Sequence, residues 1–413
     1  MSKPKYGFGD SRAVLRIPDY RYFLLGRFAA TLATQMQALI VSWQVYQLTK
    51  DPLALGLIGL VEAAMYFSFA LWAGHFADRH EKKKIIVITQ IAMLACTGAL
   101  MAMSCAPRVH VGWIYGVIAF TGLARSFMWP ASFAYSELTV PRLIYARAAA
   151  WLSTTWEVGS VVGPALGGFL YAWKGPLAGY GVVAFLLLAA IISTLRIRPI
   201  PPVLKATLPD RHDLWLGVRF VFSNQIILGA LTLDMFAVLF GGPYAILPIF
   251  ADQILHVGAR GLGLLRAAPS AGAILMAIYQ SYHPPLERVG RTLIASVALF
   301  GLAMIGFALS TNFWLSMALL AFSGLVDNIS VVVRHSVLQA FTPDHLRGRV
   351  SAVNGIFIGS SNEIGAFESG LAAKLIGTVP SVIFGGVMTL VTVAMVAWKA
   401  TPLRQLKALH KPT

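Results

Sequence analysis

The chain is 413 residues long, 57% apolar and only 12% charged, where a soluble domain carries about 25% charged residues. A mean hydropathy of +0.70 over that length excludes a water-exposed surface for most side chains, so the bilayer must be their solvent. In a soluble chain the net charge of +16 would suggest nucleic acid; here the basic residues fall in short loops between apolar runs, so orientation and anionic headgroups explain them, and no nucleic-acid partner is expected.

Residues 1–21 are a polar, basic tail with Lys3, Lys5, Arg12 and Arg16. The apolar run that follows is too long for the core of a cleavable signal and reads as a retained first span. At roughly 20 residues per crossing, spans are predicted at 22–47, 53–77, 84–106, 111–138, 145–173, 176–196, 226–250, 258–282, 292–310, 313–338, 348–373 and 380–399. The one long connection, 197–225, holds Pro199, Pro201, Pro202, Lys205, Arg211 and Arg219, and Asp213–Phe222 has the pattern of an amphipathic helix on the membrane surface. The expected fold class is therefore an all-α membrane protein of two six-helix halves, 22–196 and 226–400, with a cytoplasmic linker and a cytoplasmic tail at 401–413.

Alternate loops are rich in Lys and Arg: Arg79 with Lys82, Lys83 and Lys84; Arg142 and Arg147; the linker; Arg288 and Arg291; Arg347 and Arg349. The opposite loops hold Lys50, Arg108, Lys174, Arg260 and Lys374. The basic side is the cytoplasmic one, which puts both termini inside the cell membrane. Trp43, Tyr46, Trp113, Tyr115, Trp173 and Trp314 fall near outer span ends, as an aromatic belt would. Cys96 and Cys105 lie nine positions apart on one helix, too far for a disulfide, and no His or Cys spacing suggests a metal site.

An ionisable group at bilayer depth is costly and should face a cavity or a partner. Spans three, six, nine and twelve carry none in their cores. The others carry Arg27, Glu62, Arg125, Glu157, Asp234, Arg266, Asp327, Arg334, Glu363 and Glu368. Every third helix is thus lipid-like, as repeated three-helix units with one peripheral helix would give. Arg125 stands sixteen residues before Pro141 and Glu157 sixteen after it, so the two share a level about 24 Å from that loop and are expected to pair. Counting from Asp344 puts Asp327 and Glu363 at one level, where two carboxylates would hold a proton between them. Alternatively, these charges only tie helices together. Gly241, Gly242 and Pro243 predict a break in span seven, near a binding site or gate, unless the kink is inert.

Two motifs carry a resemblance. Gly74-His75-Phe76-Ala77-Asp78-Arg79-His80-Glu81-Lys82-Lys83 is similar to the loop motif of the major facilitator superfamily, with Glu81 where that motif has glycine. Gly74 would permit close helix contact, Asp78 would accept from a helix N-terminus, and Arg79 and Lys83 would hold the cytoplasmic face. Gly159-Ser160-Val161-Val162-Gly163-Pro164-Ala165-Leu166-Gly167-Gly168 matches the superfamily's span-five pattern, which is associated with exporting antiporters. Arg125 falls where the family has a span-four arginine, and Glu287-Arg288-Val289-Gly290-Arg291 resembles a reduced second copy of the loop motif. Pro343–Asn354, Asn362-Glu363 and Phe236–Gly242 look like the branch containing the bacterial enterobactin exporter.

The resemblance implies inverted three-helix repeats and a monomeric secondary transporter. The expected activity is proton-coupled export of a siderophore or drug-like small molecule across the inner membrane, with substrate, protons and membrane lipid as partners and no cofactor. Uptake of a similar compound is the alternative in transport; a channel or receptor is the alternative outside it. No nucleophile–base pair or phosphate loop points to an enzyme.

Overall fold

The structure is a computed structural model that describes residues 13–107, 109–200, 211–283, 288–343 and 346–407. Among them every regular element is helical, because only helices satisfy their own backbone polar groups in lipid apart from closed barrels. Residues group into two compact units, 1–48 with 61–206, and 49–60 with 207–413.

The first unit holds α1 (Pro18–Thr49), most of α2 (Pro52–Arg79), α3 (Lys82–Ser104), α4 (Val111–Thr139) and α5 (Tyr145–Leu195). α5 is two helices in series, separated where Lys174 and Gly175 leave helical geometry; Gly175 has φ +72°, which glycine adopts without steric cost. α1 is bound to its neighbours by a row of amides. Gln35 donates to Ser160, Thr97 donates to Gln37, and Gln44 donates to Ser104 while accepting from Tyr180. Such side-chain bonds hold helices together where the hydrophobic effect cannot, since lipid is as apolar as leucine.

The second unit contains α6 (Arg211–Ser223), α7 (Gln225–Gly241), the short α8 (Leu247–Ile249), α9 (Gly258–Tyr282), α10 (Val289–Leu309), α11 (Phe313–Phe341), α12 (Arg347–Ile376), α13 (Thr378–Lys399) and α14 (Thr401–Arg404). It also takes in residues 49–60, at the start of α2. The reason is close helix contact: a Cβ on Gly370 would lie 2.7 Å from Gly56 Cα, and one on Gly59 would lie 2.8 Å from Ala366 Cβ.

Ten segments are long and apolar enough to cross a bilayer. The one at Arg147–Leu195 contains the Lys174–Gly175 break and supplies two crossings. α12 has 30 residues, about 45 Å of helix, and falls below the others in hydropathy because Arg347, Arg349, Glu363, Glu368 and Lys374 lie along it. This count is consistent with twelve crossings.

Three expectations need correction. Trp43 and Tyr46 are buried, at 5% and 0% exposure, whereas Trp113, Trp173 and Trp314 are largely exposed as belt residues would be. The linker helix does not simply lie on a lipid surface: Val221 packs with Ile227, Leu338, Val350 and Val353, and a Cβ on Gly217 would sit 2.9 Å from Arg349 Cβ. Among the described residues nothing lies within 4 Å of where a Cβ on Gly74 would be, so no described helix uses its missing side chain.

Candidate functional site

In the first unit the charged span residues gather around α4. Gly122 brings α4 onto α2, since a Cβ there would lie 2.8 Å from Glu62 O. One turn later Arg125 forms an ion pair with Glu62. Counting from the loop supplied Glu157 as the partner of Arg125; it missed Glu62 because depth was counted only across one loop.

Arg27 lies on α1 with its guanidinium 5.2 Å from the centre of the Trp129 ring, a cation–π distance. It lines a cavity of about 260 Å³ with Phe23, Trp129, Ser132, Phe133, Tyr145, Ala149, Leu152, Ser153 and Trp156. Trp129 meets Trp156 edge-on at 6.0 Å and Phe133 at 5.2 Å. Sequence reasoning found Arg27 but missed both tryptophans. The signal was present: they stand twelve residues before and fifteen after Pro141, well inside their spans rather than at a belt.

In the second unit span seven breaks as predicted. α7 stops at Gly241 and the chain continues through a 3-10 turn at Pro243–Ala245, α8, and a π turn at Phe250–Ile254. Neighbours brace the break. Ser369 of α12 donates to Gly242 O, and a Cβ on Gly365 would lie 2.8 Å from Leu239 O. The break presents Tyr244, a residue not singled out from sequence, within electrostatic reach of Asp327 on α11 and Arg266 on α9. Ser330 donates to both the carbonyl and the carboxylate of Asp327.

Asp327 and Glu363 do not form the expected carboxylate pair: Asp327 accepts from Ser330, while Glu363 Oε2 lies 3.6 Å from the Cβ position of Gly59 on α2. Equal depth fixes how far along a helix a residue lies, not the direction it faces. Asp234 on α7 and Arg334 on α11 form a buried ion pair instead, with side chains 8% and 4% exposed.

Of the loop motif, Arg79 is exposed at the end of α2, and the side chain of Asp78 lies outside the described residues. Lys83 donates to Leu195 O and Ile197 O at the end of α5, where a helix C-terminus favours a cation. The span-five glycines face α1. A Cβ would lie 2.7 Å from Thr31 Cγ2 at Gly159, 2.7 Å from Gln35 Cβ at Gly163 and 3.3 Å from Met36 Cα at Gly167. Pro164 stands inside the helix between them, followed by the buried Gly168. Glu157 is partly buried on the same helix. Among the described residues no group of three or more His, Cys, Asp or Glu could hold a metal ion.

The chain is 27% identical over 401 residues to the enterobactin exporter of Shigella flexneri, covering 93% of this chain and 94% of that one. It is 25% identical over 398 residues to the enterobactin exporter of Escherichia coli O1:K1, with the same coverage. Among solved structures, a POT family transporter in complex with 5-aminolevulinic acid superposes with a TM-score of 0.72 at 12% identity, over 97% of this chain and 98% of that one. A bacterial homologue of the iron transporter ferroportin in an inward-facing state gives 0.69 at 14% identity, over 95% and 100%. The family model described as Major Facilitator Superfamily matches residues 23–286, and the chain is a multi-pass membrane transporter that belongs to that superfamily.

Proposed function

We propose that this transporter exports a siderophore or similar small molecule from the cytoplasm across the inner membrane, driven by inward proton movement. The direction and cargo are supported by the full-length likeness to enterobactin exporters and by the span-five pattern around Gly163 and Pro164. Both termini are cytoplasmic in this reading, because the basic loops lie on their side.

The observation that carries proton coupling is Asp327. It sits in mid-helix next to the broken span, accepts a hydrogen bond from Ser330, and has no ion-pair partner among the described residues, whereas Asp234 and Glu62 are each held by an arginine. A carboxylate without a bound cation in a low-dielectric setting favours its protonated form, so it can load and release a proton as its surroundings change. Tyr244, within electrostatic reach of Asp327, is the neighbour through which cargo or a helix shift would act on it. Asp327→Asn is expected to abolish accumulation of cargo against its gradient in inverted vesicles while sparing downhill exchange. If the variant still accumulates cargo and remains sensitive to an uncoupler, Asp327 is not the coupling group.

A further inference from the structure

The cavity around Arg27 has a chemistry that the transport reading does not use. One guanidinium, with five donors and a fixed charge, stands among Trp129, Trp156, Phe133, Phe23 and Tyr145. Among the described residues no carboxylate pairs with Arg27; its partner is the face of Trp129. Arg125 adds a like charge to its surroundings. A cation held at bilayer depth without an anion is costly, so the site favours a negative group from outside the protein. The walls exclude most anions. Apart from Arg27, the polar side-chain groups on the lining residues are the hydroxyls of Ser132, Ser153 and Tyr145 and the indole N–H groups of Trp129 and Trp156; none carries a charge. The edge-on pair Trp129–Trp156 leaves ring faces against which another ring can stack or abut. A volume of about 260 Å³ is below that of pockets for whole drug-sized ligands and suits one ring.

We propose that this cavity is a binding subsite for an aromatic acid: a single flat ring bearing an ionised carboxyl or phenol group, the ring against Trp129 and Trp156 and the anion on Arg27. The inference rests on the exporter reading only for its meaning, as the place where one arm of the cargo docks; binding itself needs neither a gradient nor turnover.

The test is equilibrium binding of radiolabelled salicylate to the purified full chain in nanodiscs, with benzamide and cyclohexanecarboxylate as competitors. Benzamide keeps the ring and lacks the charge; cyclohexanecarboxylate keeps the charge and lacks the aromatic face. Salicylate is expected to bind, and each competitor to bind at least tenfold more weakly. Arg27→Gln should lose at least tenfold in affinity, Arg27→Lys should recover part of it, and Ser153→Phe, which fills the cavity from an exposed position, should lose binding. Gly181→Leu, with nothing among the described residues within 4 Å of its Cβ position, should bind as wild type does. Absence of salicylate binding by the wild type overturns the subsite, as does equal affinity for cyclohexanecarboxylate, and so does unchanged affinity in both Arg27→Gln and Ser153→Phe. These outcomes leave the exporter reading standing, while wild-type binding without export in vesicles removes that reading and keeps the subsite.

Discussion

Asp234 and Arg334 show what a single charge means inside this protein. Each is almost fully buried and each is the other's ion partner across α7 and α11. Desolvation of both is repaid only while they face each other, and removing one leaves an uncompensated buried charge at a cost of about 3–5 kcal/mol. Asp234→Asn and Arg334→Gln should each lower the unfolding midpoint in detergent markedly, and the double variant should regain most of the loss. A double variant as unstable as the sum of the singles would mean that the two charges act independently. Asp327, one turn from Ser330, differs in having no such partner among the described residues. Sequence counting identified every one of these charged positions, since a charge within an apolar run is conspicuous. It gave their depth and not their facing direction, so it paired Arg125 across one loop and overlooked Glu62, and it joined Asp327 to Glu363, which face different neighbours.

At the scale of helices, glycine spacing decides who packs on whom. Gly159, Gly163 and Gly167 recur every four residues and so form one flat face of α5; that face meets Thr31, Gln35 and Met36 of α1. The hydrogen bond from Gln35 to Ser160 crosses the same contact. A larger side chain there must push two helices apart. Gly163→Leu is expected to destabilise the protein by about 1–3 kcal/mol, the usual range for overpacking, and to reduce transport at least tenfold. Gly181→Leu, on the second arm of α5 with nothing within 4 Å of its Cβ position, serves as the control and should behave as wild type. Equal behaviour of the two variants would show that the Gly163 face is not a tight contact. The glycine period was legible because it is local, and so was the Gly-Gly-Pro break, which follows from backbone chemistry. The partner helix was not legible, because nothing in α5 names α1. Gly74 shows the converse: a motif position read as a close contact has open space around it.

For the whole molecule, the distribution of charge is the most legible property and the one that sets orientation. The side read as exterior carries five basic residues, Lys50, Arg108, Lys174, Arg260 and Lys374. The structure reduces even that number in effect. Lys50 pairs with Asp252 at 2.8 Å and Lys374 with Asp51 at 2.7 Å, all within the second unit. At Asp51, burial pushes the carboxyl up, but the hydrogen bond and charge of Lys374 and the Leu53 N–H outweigh it and hold the carboxyl below its ordinary value, so the pair stays ionised at neutral pH. Two of the five cations are thereby neutralised. On the side read as cytoplasmic, Arg79, Arg288, Arg291 and Arg347 stand near span ends, Lys84 pairs with Glu81 at 3.0 Å, and Lys83 caps a helix. The bias that orients the chain rests on the number of Lys and Arg in the alternate loops, which these pairs leave unchanged. Single cysteines at Lys174 and Arg260, neither of which is in those pairs, are expected to react with a membrane-impermeant maleimide in intact cells, in a background with Cys96 and Cys105 replaced by serine. Cysteines at Arg79 and Lys407 should react only after the membrane is opened. Reaction at Arg79 in sealed cells together with protection at Lys174 would invert the topology. It would also turn the proposed direction of transport around, because the span-five contact and the Arg27 cavity would then serve the opposite face of the membrane.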